Sequence, residues 1–136
     1  MTLIADFDAR FLLGIAEIDT VHRAFAALVN RLDSADAATF AAGFAELFAH
    51  TEEHFSGELA LMRNSRFPAT DEHHADHQRV LGDLHRFSRQ VERGRLAMAR
   101  AYLREQLPGW FALHAATMDS ALAAHLKATA AATAGE

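Results

Sequence analysis

The sequence predicts an all-α protein, an antiparallel up-down four-helix bundle with an N-terminal arm, and three observations predict it. Of the 136 residues 51% are hydrophobic, and alanine and leucine, the best helix formers, dominate that share. Only two prolines and seven glycines punctuate the chain. Apolar residues recur at steps of three and four along four separate stretches, the spacing of helices laid against a common core. At this length a single domain over residues 1–136 is expected, with one core.

Residues 1–18 read as an arm whose apolar side chains are Phe7, Phe11, Leu12 and Leu13. The first helix falls near 19–33, on the stripe Ile18, His22, Phe25, Val29 and Leu32. Polar residues from Asn30 to Asp36 then make a turn, with Ser34 as a candidate cap. The second spans about 37–64, where Phe40, Phe44, Leu47, Thr51, His54, Glu58 and Leu61 keep the rhythm until Asn64, Ser65 and Pro68 end it. The third opens after Pro68 with Thr70 as cap and Asp71 and Glu72 in the first turn, where acidic groups suit the helix dipole. Its stripe is His73, His77, Val80, Leu84, Phe87 and Val91, and it closes at Gly94. The fourth runs from about Arg95 to Lys127 with Leu103, Leu107, Trp110, His114 and Thr117 on one line, and Pro108 with Gly109 predicts a kink. Residues 128–136 are expected to fray.

Composition excludes several function classes. Without cysteine there is no disulfide, thiolate metal site or cysteine nucleophile, so site chemistry must use nitrogen and oxygen groups. A net charge of −5 with scattered basic residues argues against nucleic acid or an anionic membrane as partner. No apolar run approaches the roughly 18 residues of a membrane span, and MTLIADFDAR has no secretion signal. A soluble cytoplasmic protein is expected.

The anomaly is nine histidines. His22, His54, His73, His77 and His114 all occupy positions that the pattern assigns to the core, as does Glu58. A lone core histidine is ordinarily just hydrogen-bonded. Five of them with a carboxylate in one small core are too costly to bury unpaired, and a metal is the economical partner. His54 with Glu58 and His73 with His77 are i, i+4 pairs that share a helix face. His114 and Asp119 are five apart, about 140° round an ideal helix, so Asp119 needs a bridging role or a local bulge. Seven donors are too many for one ion and too few carboxylates for calcium or magnesium, so two transition ions are implied. If Glu58 and Asp119 bridge them together with a solvent-derived oxygen, an ion with three histidines is full. One with two histidines keeps an open position for a small molecule.

The segments G14-I-A-E-I-D-T-V-H22, H54-F-S-G-E58-L-A-L-M62, H73-H-A-D-H77 and W110-F-A-L-H114-A-A-T-M-D119 together resemble the hemerythrins, especially the bacterial single-domain members, over nearly the whole chain. The resemblance implies a hemerythrin-like bundle with two iron ions joined by a bridging oxo or hydroxo group. It places His73, His77 and His114 on the saturated iron, His22 and His54 on the open one, and Glu58 and Asp119 as bridges. Dioxygen, or a small anion such as azide, would bind at the open iron, with no protein acid or base required. Phe55, Trp110, Phe111 and Ala115 would line the ligand pocket.

Four departures from the family pattern stand out: His50 where many members have tyrosine, Leu59 where a second glutamate is frequent, Phe111 for a leucine or isoleucine, and Ala115 for a branched residue. The last predicts extra space beside the open iron, faster autoxidation and tighter azide binding than in an Ala115→Ile variant. His50 is a candidate partner for a metal ligand, His74 and His85 read as solvated surface, His125 as a helix-end cation, and Met62 and Trp110 as packing. Three functions fit: a reversible oxygen carrier or store, a sensor acting through a partner protein, and an enzyme acting on peroxide, nitric oxide or a small substrate. The histidine-rich donor set favours the first, because oxygen-activating di-iron bundles use more carboxylates.

Overall fold

The computed structural model describes residues 2–134, so Met1 of the arm and residues 135 and 136 of the tail lie outside it. It is helical throughout, with no strand among the described residues. A single helical turn, α1 (Phe7–Arg10), sits in the arm. The bundle is made by α2 (Ala16–Asp33), α3 (Ala37–Asn64), α4 (Thr70–Glu92) and a composite fourth member. That member runs through α5 (Ala97–Glu105), α6 (Leu107–His114), a π-helical turn at Ala115–Asp119, and α7 (Ser120–Ala134). Helix α2 packs on α3, α3 on α4, α4 on α5 and α5 back on α2, which closes the ring of an up-down bundle.

The expected stripes are the buried ones on α2 and α4. On α3 the burial passes at the end from half-buried Leu61 to fully buried Met62. Most corrections concern helix ends. Helix α2 begins at Ala16, three residues early. The cap of α3 is Asp36 rather than Ser34, its carboxylate accepting the Thr39 N–H at 2.9 Å. Thr70 lies inside α4 and its hydroxyl donates to the Phe67 carbonyl at 2.6 Å instead of capping. The tail expected to fray continues as α7 to Ala134.

The arm is clipped down at two places. Asn30 exchanges hydrogen bonds with the backbone of Ile4, at 2.8 and 3.0 Å. Asp19 accepts the N–H groups of Leu13 and Gly14, and Gly14 takes the left-handed φ of 81° that this turn needs. Ile4 and Phe11 are thereby buried.

Two apolar clusters fill the bundle. The larger gathers residues such as Phe25, Phe40, Phe44, Leu47, Leu84 and Leu103. The smaller holds Ile18, Met62, Phe67 and Leu122. The predicted kink is present, as a break at Gln106 (φ −117°, ψ −49°) just before Pro108. Proline has no N–H for the preceding turn and its ring crowds it, so the helix restarts there.

Candidate metal centre

Five histidines and two carboxylates converge where the composite helix faces α2, α3 and α4. The i, i+4 pairs come from α3 (His54, Glu58) and α4 (His73, His77), as their spacing requires. His22 comes from α2. His114 ends α6, and the π turn that follows adds one residue to the helical repeat, which brings Asp119 to the same site five residues on. Of the two ways that spacing left for Asp119 to reach the site, the local bulge is present. Its register shift turns Thr117 out to solvent, against its expected place on the stripe, and the Thr117 hydroxyl returns to the Leu113 carbonyl at 2.7 Å.

The contacts sort into two groups. Glu58 Oε1 lies 2.7 Å from His73 Nε2 and 3.6 Å from His77 Nε2, while Glu58 Oε2 lies 2.9 Å from His54 Nε2. Asp119 Oδ1 lies 3.1 Å from His73 Nε2 and 3.2 Å from His114 Nε2, while Asp119 Oδ2 lies 3.1 Å from His22 Nε2. Each carboxylate thus turns one oxygen to His73 and one of His77 and His114, and the other oxygen to His54 or His22. The donors of Glu58, His73, His77, His114 and Asp119 lie within 4.8 Å of one another, as do those of His22, His54 and Glu58.

Charge and burial show what the site is suited to hold. His22 Nε2, His73 Nε2, Glu58 Oε1 and Asp119 Oδ1 are buried without a hydrogen-bond partner, a cost that a cation shared among them removes. Burial works against a proton on His73, but Asp119 and Glu58 outweigh it and raise its pKa to about 9. Burial pushes His77 down to about 2, helped by the neighbouring His73 and His114, so its ring is neutral and ready to donate a lone pair. Asp119 is also penalised by burial, yet His114, His22 and His73 hold its pKa well below the usual value. Nitrogen and oxygen donors of this kind suit iron, zinc or manganese.

Aromatic rings surround the donors. Phe55 stacks on His77 at 3.7 Å, Trp110 on His114 at 4.7 Å, and Phe111 meets His22 edge-on at 5.3 Å. A small cavity of about 10 Å³ is bounded by Phe25, Phe55, Trp110 and Phe111 together with His22, His54, His114 and Asp119. Ala115 does not line it. It packs into the larger apolar cluster, 1% exposed, as does Phe111, which stacks on Phe25 at 5.1 Å. A second, open cleft of about 420 Å³ reaches His54 and Glu58 from outside, past His50, Glu53 and Gly57.

The remaining histidines separate. His50 Nε2 donates to the Val21 carbonyl at 3.3 Å, next to His22, and its ring centroid lies 6.2 Å from that of His54. His125 is no free helix-end cation: its Nε2 donates to the Ser65 carbonyl at 2.8 Å and ties α7 to the α3–α4 turn. His74 is half-buried and His85 exposed.

Sequence reasoning missed Asp76. Its Oδ2 accepts from His114 Nδ1 at 2.7 Å and from the Trp110 indole N–H at 2.9 Å, so Trp110 does more than pack. Burial opposes its charge, but hydrogen bonds from Arg79, Trp110 and His114 lower its pKa. The available signal was its place between His73 and His77, one residue off the stripe.

Residues 13–126 match the family model described as "Hemerythrin HHE cation binding domain". The chain is also similar to a bacteriohemerythrin of Ralstonia nicotianae, 37% identical over 107 residues that cover 79% of this chain and 77% of that protein. No solved structure matches. With the family model spanning the four helices that carry the donors, and a buried histidine and carboxylate group able to hold a metal, the chain belongs to the hemerythrin family.

Proposed function

We propose that this protein binds dioxygen reversibly, for transport, storage or delivery, at a pair of iron ions joined by an oxo or hydroxo bridge. The observation that carries the reading is the division of carboxylate oxygens. Glu58 and Asp119 each offer one oxygen to a three-histidine group and one to a two-histidine group. His73, His77 and His114 with the two carboxylates would hold one ion, and His22 and His54 with the same carboxylates would hold the other, with one protein donor fewer. The small cavity touches both of the latter rings. Bound iron would supply the electrons that hold dioxygen.

The residues around the small cavity limit the size of what it can hold. A cavity of about 10 Å³ accommodates roughly one water-sized molecule, which suits a diatomic ligand or, with slight widening, azide, and disfavours a larger organic substrate. Its walls other than the donors are Phe25, Phe55, Trp110 and Phe111, and the Trp110 N–H is engaged by Asp76. No acid or base beyond the metal donors borders the space among the described residues, which favours carriage over catalysis.

The test is to load the metal-free protein with Fe²⁺ under anaerobic conditions, count ions per chain, then admit and withdraw dioxygen. Two ions, with a visible charge-transfer band that appears with dioxygen and bleaches on its removal, are expected. One ion per chain, or a band that never reverses, overturns the reading. Asp119→Asn should lower both metal content and the band.

A further inference from the structure

We propose that Asp76 is a positioning residue for the three-histidine half of the site: through one carboxylate oxygen it orients His114, fixes which ring nitrogen faces the cation, and strengthens that nitrogen as a donor. The inference rests on His114 being a cation donor, as proposed above.

Five histidines point Nε2 into the site, but their outer nitrogens differ. Nδ1 of His22, His54, His73 and His77 is buried without a hydrogen-bond partner. His114 alone among them has its Nδ1 held by a protein acceptor, Asp76 Oδ2 at 2.7 Å. A bond of that length to a carboxylate is charge-assisted. It places the proton on Nδ1, leaves the Nε2 lone pair for the cation and makes the ring more electron-rich.

The helix that carries His114, α6, is eight residues long, with the Gln106 break before it and the π turn after it. The backbone at His114 itself is regular, with φ −61° and ψ −45°, so the pose of the ring is left to its side-chain contacts. Two contacts set it. Trp110 stacks on the ring, with 23° between the planes, and so sets its tilt. Asp76 sets its rotation within the plane and accepts from Trp110 with the same oxygen, which ties both residues of one α6 turn to α4. The other oxygen of Asp76 accepts from Arg79 at 2.8 Å, so the carboxylate is itself held in place.

Two measurements test this, one without any metal. In metal-free protein labelled with ¹⁵N-histidine, the parent and Asp76→Glu should show a protected, strongly hydrogen-bonded His114 Nδ1–H that Asp76→Ala lacks. In titrations with Zn²⁺ and with anaerobic Fe²⁺, Asp76→Asn, which keeps the shape but not the charge, should weaken one ion of the two by between about 10-fold and 100-fold. Asp76→Glu should recover part of the loss. Asp83→Asn, which neutralises a carboxylate elsewhere on α4 that pairs with Arg86 at 3.1 Å, should leave the affinity at that of the parent. The proposal is overturned if Asp76→Asn binds both ions with parental affinity, if Asp83→Asn reproduces the Asp76→Asn loss, or if the Nδ1–H signal survives in Asp76→Ala. The parent's own stoichiometry judges the two-ion reading separately, since the NMR result is independent of any metal.

Discussion

The larger apolar cluster and the donor layer beside it are built from the same helices, yet they obey opposite rules. Helix α3 contributes Phe40, Phe44 and Leu47 to the cluster and His54 and Glu58 to the layer; α4 contributes Val80 and Leu84 to one and His73 and His77 to the other. In the cluster each side chain is stabilised simply by leaving water, with no particular partner needed. In the layer eight buried nitrogen and oxygen atoms have no hydrogen-bond partner, so burial there is a cost that a cation offsets. The layer lies between this cluster and the smaller one of Ile18, Met62, Phe67 and Leu122. Stability and chemistry are thus stacked along one bundle axis: the apolar ends hold the helices in register so that the polar middle can be strained.

The sharpest way to break that division is Leu84→Ala. Leu84 is fully buried, and the variant should lose about 2–5 kcal/mol of stability while binding the same number of ions per folded chain. Denaturant unfolding of the metal-free protein and metal analysis of the folded fraction measure the two effects. A folded variant that cannot hold metal would mean that cluster and layer are one unit.

A smaller effect is expected from Ala115→Ile, which tests the boundary between them. Ala115 is 1% exposed within the apolar cluster and lies off the cavity wall. The larger side chain should overpack the cluster and cost about 1–3 kcal/mol, while the loaded protein oxidises at the parental rate. Slower oxidation in the variant would return Ala115 to the ligand pocket.

The smallest expected effect is on pH dependence, and it belongs to the layer alone. His73, facing Glu58, Asp119, His77 and His114, has its pKa raised from 6.5 to about 9, so it stabilises the metal-free fold below pH 6.5 and loses that contribution as pH rises through about 9. His77, among His73, His114, His54 and Asp119, is lowered from 6.5 to about 2, so the unfolded chain takes up its proton first and stability falls as pH drops below 6.5. Asp119 matters only in acid, below its ordinary 3.8. Metal-free stability should therefore peak near pH 6.5, the ordinary value of both histidines, in thermal melts across that range. A steady rise toward alkaline pH would contradict the charge assignment.

Much of this was legible in the residues because helical periodicity is local. The stripe on α4 predicts His73, His77, Val80, Leu84, Phe87 and Val91 as buried, and all of them are. The same periodicity pairs His54 with Glu58, and the five-residue step from His114 to Asp119 is out of phase with a regular helix, which left either a bulge or a flanking, bridging place for Asp119; the π turn is the first of these. Helix ends were less legible: Asp36 and Ser34 are both good caps by type, and only the path of the turn decides which carries the Thr39 N–H.

What the tertiary structure alone decided is how groups from different helices meet. Spacing turns Glu58 inward and leaves Asp119 beside the core line, and which oxygen turns to which histidine depends on how α2, α3, α4 and α6 pack. Asp76 sits off its stripe and would read as solvated until the Nδ1 edge of His114 arrives from another helix, 38 residues away in sequence. The place of Phe111 is decided in the same way, because the rings it packs on, Phe11 and Phe25, come from the arm and from α2. A residue's position along its own helix is written in its neighbours in sequence, whereas its partner across the bundle is set by the packing of the whole chain.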